Sequence, residues 1–251
     1  MKIVVANWKM NPQSIREAEG IFKNIRKKTL KLKKTKVIVC APTIYINKLN
    51  SLCKKSIFVG AQDFFDQEKG SWTGKVSSNM LRNLGVDFTL LGHSEIRQLG
   101  ETEEELNQKI KLALKNKIKP IICIGENIRD DDGNYFSILE GQLLSALKGI
   151  GGIFSGKIII AYEPVWAVGK ASKKIIKSED LLQITLFIKK ILMDKYGAEK
   201  LKKIKILYGG SVNPINTEDL IQNGGVDGFL VGRDSLVSEN FNKIVHIVEN
   251  N

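Results

Sequence analysis

Ile158-Ile159-Ile160-Ala161-Tyr162-Glu163 is an unbroken apolar run that ends on a carboxylate. A continuous run, as opposed to an alternating one, indicates a strand buried on both faces, as in a parallel sheet covered by helices. Seven more near-continuous runs flank it: Ile3–Ala6, Val37–Ala41, Ile57–Ala61, Phe88–Leu91, Ile121–Ile124, Ile204–Tyr208 and Gly228–Val231. Between them lie amphipathic stretches. In Glu104–Leu114, for example, Leu106, Ile110 and Leu114 recur every four residues and make one apolar stripe. Ser14 with Glu17 and Thr102 with Glu105 carry capping-box spacing at helix starts. Eight strand–helix units, averaging about thirty residues each, predict an α/β protein of the (β/α)8 barrel type. An open doubly wound sheet shares the alternation, but its G-x-G-x-x-G fingerprint after the first strand is absent; Asn7-Trp8-Lys9-Met10-Asn11 stands there. No linker or composition shift divides the chain, so one domain over residues 1–251 is expected.

The chain has 251 residues, 43% of them hydrophobic, enough for one large core. Its formal charge of +12 favours anionic partners but says nothing of fold. The densest basic stretch, Lys27–Lys36, interleaves Leu30 and Leu32 and holds no aromatic residue, and the whole chain has six Arg. Nucleic-acid surfaces want clustered Arg and stacking rings, so this stretch reads as the solvated end of a lysine-rich helix. Cys40, Cys53 and Cys123 are odd in number and form no C-x-x-C, which argues for a reducing, cytoplasmic compartment without disulfides. His93 and His246 lie too far apart for a local metal motif, and His246 reads as a packing or surface residue on a C-terminal helix stripe. No metal or cofactor is expected. The apolar run at the N-terminus is too short for a signal peptide, and no stretch approaches a membrane span.

In a barrel, chemistry gathers at the carboxyl ends of the strands, where the βα loops converge. Those ends carry Asn7 and Lys9, Gln62, His93-Ser94-Glu95, Glu126, Glu163, Gly209-Gly210-Ser211 and Gly232-Arg233. A carboxylate, an imidazole and an ammonium from three strands suit isomerisation beside a carbonyl: one group takes a carbon-bound proton, the others hold the enediolate oxygens. The glycine turns after strands seven and eight offer N–H groups at the usual phosphate end, with positive φ and close anion approach as the reason for glycine.

At these residues the sequence resembles the triosephosphate isomerase family. The matching segments are Ala6–Asn11, Leu90–Glu95, Cys123–Glu126, Ala161–Ala167, Tyr208–Val212 and Val226–Gly232, in the family's order over essentially the whole chain. The resemblance implies a TIM barrel that interconverts dihydroxyacetone phosphate and D-glyceraldehyde 3-phosphate, a step of glycolysis and gluconeogenesis. It implies Glu163 as base, His93 as neutral electrophile, Lys9 as the cation beside the oxyanion and Asn7 as a substrate contact. Gly169, Ser211 and Gly232 would give N–H groups to the phosphate. Glu95 and Glu126 resemble supporting carboxylates, and Trp166–Val168 resembles the start of a lid that shields the intermediate from water.

Three places depart from the family pattern. Gly169 is followed by Lys170-Ala171-Ser172 and a lysine-rich extension to Lys177, where the family has Gly-Thr-Gly-Lys. Arg233 follows Gly232 where a second glycine is usual, and its side chain is a candidate phosphate contact. The loop Gly70–Lys75 resembles the family's homodimer loop, yet the usual Glu–Arg pair across that interface is replaced by Lys75 and Ile96. Loss of both charges leaves no partnerless Arg, so a homodimer is expected, with Lys75 meeting water or a neighbour such as Glu95. Two other readings compete: a different sugar-phosphate lyase or isomerase on the same barrel, and a basic noncatalytic nucleic-acid binder. An aldolase would want a Schiff-base lysine toward the carboxyl end of a middle or late strand, and in the runs of strands five to seven the one lysine, Lys205, stands at the beginning of its run.

Overall fold

The computed structural model describes residues 1–53, 56–130, 132–167 and 176–251. The strands are β1 (Lys2–Asn7), β2 (Thr35–Cys40), β3 (Ile57–Ala61), β4 (Phe88–Leu91), β5 (Lys119–Ile124), β6 (Ile159–Tyr162), β7 (Lys205–Tyr208) and β8 (Gly228–Val231). They pair in chain order, all parallel, and β8 returns to β1 to close the barrel. The register sets Ile3 beside Lys36 and Gly228, and Ile121 beside Ile159.

Helices wrap the strands: α1 (Ile15–Thr29), α2 (Thr43–Asn50), α3 (Ser78–Asn83), α4 (Ser94–Gln98), α5 (Glu103–Lys115), α6 (Asn134–Ala146), α7 (Ser178–Tyr196), α8 (Ala198–Leu201), α9 (Thr217–Asn223) and α10 (Ser238–Asn250). α5 shows why they form where they do. Thr102 Oγ1 accepts the Glu105 N–H at 3.2 Å and Glu105 returns the bond to the Thr102 N–H at 2.8 Å. Three acidic residues fill its first turn, complementing the helix dipole. At α1, Ser14 Oγ accepts the Glu17 N–H at 3.2 Å, one half of the expected box.

Strand residues alternate between two cores. Ile3, Val5, Ile38, Leu90, Ile121, Ile159, Leu207 and Leu230 fill the barrel interior. Val4, Val37, Ile122, Ile160 and Phe229 face outward onto Phe22, Ile25, Leu106, Ile110, Leu139 and Ile244. Each such side chain, fully buried, contributes about 1.5–3 kcal/mol, which is why eight short strands with no free edge hold together.

Two expectations need correction. Lys27–Lys36 is not all helix end: α1 stops at Thr29, Leu30 is exposed, and Lys36 sits within β2. The extended backbone there continues the inward register of Ile38. His246 lies outside the apolar stripe of α10, which is Phe241, Ile244, Val245 and Val248; it is exposed. Among the described residues no helix is long and apolar enough to cross a membrane.

Candidate active site

Alternation along β1 points Ile3 and Val5 inward, and Asn7 continues that face at the strand's end. Asn7 Oδ1 accepts the Lys9 N–H at 3.0 Å, and Gln62 Nε2 donates to the Lys9 carbonyl at 2.8 Å and to that of Cys40 at 3.1 Å. These bonds hold Lys9 at φ +51, a left-handed conformation that costs a non-glycine residue about 1–2 kcal/mol. The strained turn aims the ammonium across the mouth, where Nζ donates to Glu95 Oε1 at 2.6 Å.

Alternation does not carry His93 into the site. Phe88 and Leu90 face inward, so His93 would face out without a change of direction. Gly92 supplies it at φ +71. A Cβ there would lie 2.8 Å from Leu106 Cδ2 and 3.1 Å from the Cys123 carbonyl oxygen, so glycine is required by both angle and space. Arg97, one turn along α4, donates from Nε to the Gly92 carbonyl at 2.8 Å and pairs with Glu103. His93 then caps α4: its Nδ1 accepts the Glu95 N–H at 3.2 Å. With Nδ1 accepting, the neutral ring carries its proton on Nε2. That nitrogen lies 3.2 Å from Glu163 Oε1, both side chains being almost fully buried.

Glu163 extends the inward face of Ile159 and Ala161. Its N–H donates to the Ile124 carbonyl at 2.8 Å, and Oε2 faces the Ser94 N–H at 3.5 Å. Two glycines leave room for it. A Cβ at Gly125 would lie 1.8 Å from the Glu163 carbonyl oxygen, and one at Gly209 would lie 2.7 Å from Glu163 Cγ. Gln142 clamps Gly125 at both its N–H (2.8 Å) and its carbonyl (3.1 Å).

Burial lowers the pKa of His93, but the charge of Glu163 and its hydrogen bond outweigh that effect; Lys9 also lowers it and Glu95 raises it. The net direction in the free protein is upward. Protonation of the ring would sacrifice the bond from Glu95 N–H to Nδ1, so the geometry drawn here belongs to the neutral imidazole.

Glu126 is fully buried and receives the Tyr162 hydroxyl at 2.8 Å and the Trp166 indole N–H at 2.7 Å on Oε1. It therefore anchors the chain leaving β6 without touching Glu163's carboxylate. At the anion end, Ser211 Oγ donates to the Ala167 carbonyl at 2.9 Å, and Asn216 Nδ2 secures the Ser211 carbonyl at 2.8 Å. Gly232 precedes the turn Arg233–Ser235, and a Cβ on it would meet Lys9 Cε at 3.7 Å, which brings the last strand's end beside the lysine. The Arg233 side chain is exposed.

The expected reason for the glycines needs correction. Gly209, Gly210 and Gly232 do not take positive φ. Space decides the first two: a Cβ at Gly210 would lie 2.1 Å from the Tyr208 hydroxyl, and Gly209 abuts Glu163. Within one chain Lys75 Nζ stands 5.4 Å over the Phe65 ring, next to Trp72, and Glu95 pairs with Lys9. Val168, Gly169 and Lys170-Ala171-Ser172 lie outside the described residues.

Sequence reasoning missed Arg97, Gln142 and the special need for glycine at 92 and 125. The spacing of Arg97 four residues after His93 was a usable signal; Gln142 gave none, since its partner is a backbone 17 residues away. The three cysteines are free thiols, as expected, and burial pushes Cys53 up to about 11.

A closed eight-stranded barrel with a buried carboxylate–imidazole pair at its strand ends belongs to the α/β-barrel enzymes that move protons. A family model described as triosephosphate isomerase matches residues 2–248, and the chain belongs to that family. It is 36% identical over 247 residues to the triosephosphate isomerase of Alkaliphilus oremlandii, covering 97% of this chain and 98% of that protein. The enzyme of the same name from Endomicrobium trichonymphae is 38% identical over 246 residues, with 97% of each chain covered. That of Phocaeicola vulgatus is 37% identical, again with 97% of each covered.

Proposed function

We infer that this chain, as one catalytic domain over residues 1–251, interconverts dihydroxyacetone phosphate and D-glyceraldehyde 3-phosphate. The observation that carries the reading is the buried contact of His93 Nε2 with Glu163 Oε1, beside the Lys9 ammonium. A substrate entering between them finds a base for its carbon-bound proton, a neutral N–H for its carbonyl oxygen and a cation for the developing charge. Glu163 removes the proton from one carbon and returns it to the next. His93 donates Nε2–H to the oxygen and relays protons between the two oxygens of the enediolate, and Lys9 lowers the energy of that anion. Asn7 supports this by holding Lys9 in its strained turn and by facing the substrate. N–H groups of Gly169, Ser211 and Gly232 receive the phosphate, with the Arg233 guanidinium at its outer edge. Neutral His93 is the working form because an imidazolium would hand its proton over too readily and lose its bond from Glu95.

The same reading makes the protein a homodimer through Gly70–Lys75 and places it in the cytoplasm. Exposed Trp72 and Met10 support the first, as apolar surface wanting cover, and free buried thiols support the second. A coupled assay for triose phosphate interconversion, on the wild type and Glu163→Asp, tests the central claim. Turnover in the wild type that falls by about 10²–10³ when the carboxylate is drawn back by one methylene is expected; no turnover in the wild type defeats it.

A further inference from the structure

The amino-terminal mouth of the barrel, at the opposite end from Glu163, gathers a second set of charges. Lys36, Lys119 and Lys205 continue the inward faces of Ile38, Ile121 and Leu207, and Lys157 stands two residues before Ile159. Inward positions alternate with outward ones along each strand, so these lysines close the bottom layer of the barrel. That layer includes a row running across four adjacent strands. Lys36 Nζ lies 5.7 Å from the ring centroid of Phe58, and Phe58 meets Phe88 edge-on at 5.6 Å. Phe88 in turn lies 5.4 Å from Lys119 Nζ. Lys157 Nζ stands 5.7 Å over Phe154. The ring faces hold the ammonium groups at the rim and leave their remaining donors toward solvent.

Of these four, negative charge balances Lys205 alone. Asp227 is engaged by Lys205 at 2.7 Å and by the Ile206 N–H at 3.0 Å, and Asp87 is engaged by Arg82. Among the described residues Lys36, Lys119 and Lys157 have no carboxylate at ion-pair distance. Burial lowers the pKa of Lys119, and Lys36 and Lys157 lower it further against the pull of Asp87. Lys2, which donates to the Val226 carbonyl, is lowered by burial and by Lys205 and Lys189 against the pull of Asp227. Lys119, half-buried and set against two like charges, is short of an anion.

We propose that this mouth is a binding site for a multivalent phosphate anion, a short oligophosphate either free or carried by a nucleotide. Strands lie about 4.8 Å apart, so Lys36 on β2 and Lys119 on β5 are separated by roughly 14 Å along the rim. That is too wide for one phosphate to bridge and within reach of a short chain of them, given the flexible lysine stems. Lysines without arginines act as point charges, which suits a flexible polyanion better than bidentate clamping of one carboxylate. Six residues of extended chain, about 20 Å, separate Lys157 from Glu163, so this site is independent of the isomerase centre and does not rest on its assignment.

Isothermal titration of the full chain with inorganic tripolyphosphate, orthophosphate and ATP tests it. Tripolyphosphate is expected to saturate one site with an affinity about tenfold or more above orthophosphate, weakening steeply as salt is raised. Lys36→Gln with Lys119→Gln should weaken it about tenfold, and Lys157→Gln, at an exposed position, about threefold. Inhibition of isomerase turnover by orthophosphate should stay as in the wild type in all of them. ATP binding more tightly than tripolyphosphate identifies the nucleotide form, and equal affinity the free chain. No saturable binding, or wild-type affinity in Lys157→Gln, overturns the proposal even if the double variant does not fold.

Discussion

His93 Nε2 lies 3.2 Å from Glu163 Oε1 while His93 Nδ1 accepts a backbone N–H, so one ring is bound at both nitrogens by groups with opposite demands. The carboxylate favours the imidazolium; the N–H favours the neutral ring. In the free protein the carboxylate sets the direction, and the His93 pKa is raised.

The pH dependence follows from that sign. A raised value means that the neutral donor is lost at a higher pH than for an ordinary histidine, as pH falls through it. The specificity constant kcat/KM, which reports the free enzyme, should decline on that acid limb. In Glu163→Gln the largest raising influences vanish while burial and Lys9 remain, so the His93 pKa should drop below that of the wild type. Nitrogen-15 NMR titration of the imidazole measures this directly, and an unmoved titration in the variant contradicts the coupling.

Lys9 and Glu95 should differ in weight although they form one ion pair. Lys9→Met removes the cation facing the oxyanion, and kcat/KM should fall by about 10²–10³. Glu95 is half exposed, and an exposed pair contributes little, so Glu95→Gln should change kcat/KM by about threefold or less. Steady-state kinetics of both variants, beside the wild type, separate the two roles. Equal losses would mean that Glu95 fixes the lysine's position.

Arg233 replaces a glycine of the family pattern at the phosphate end. If the guanidinium reaches the anion, Arg233→Gly should weaken a phosphate-bearing inhibitor by about three- to tenfold. Titration calorimetry reads this, and an unchanged affinity leaves the side chain in water.

Lys109 joins Asp63 at 2.9 Å and Glu101 at 2.7 Å, and Glu101 is nearly fully buried. Burial raises the pKa of both carboxyl groups, and Lys109 opposes the rise. Lys109→Met would leave two uncompensated carboxylates and should cost about 3–5 kcal/mol in urea unfolding at neutral pH. Their folded-state values lie above the unfolded ones, so protonation favours the native state, and the deficit should shrink as pH falls toward the carboxyl range.

Trp72 is half exposed and held against Phe65 at 5.0 Å, with Lys75 over the same ring. If this loop joins two copies, Trp72→Asp should shift sedimentation from dimer toward monomer at micromolar concentration. A wild type that sediments only as monomer removes the loop from that role.

A strand's two-residue period puts Ile3, Val5 and Asn7 on one face and Ile159, Ala161 and Glu163 on one face, but runs that are apolar throughout do not say which face is inward; barrel closure decided that. The eight apolar runs, and with them the barrel, were readable because burial on both faces makes each strand hydrophobic along its length. His93 and Lys9 obey no such period. Their directions depend on Gly92 at φ +71 and on Lys9 itself at φ +51, angles that the surrounding packing imposes through Leu106, Arg97, Asn7 and Gln62. The contacts of Lys9 with Glu95, 86 residues apart, and of Ser94 with Glu163, 69 apart, exist because barrel closure brings separate strand ends to one mouth. The ring of lysines at the other mouth has the same origin. Each reads locally as an ordinary surface charge, and it becomes a site when closure sets it beside the others.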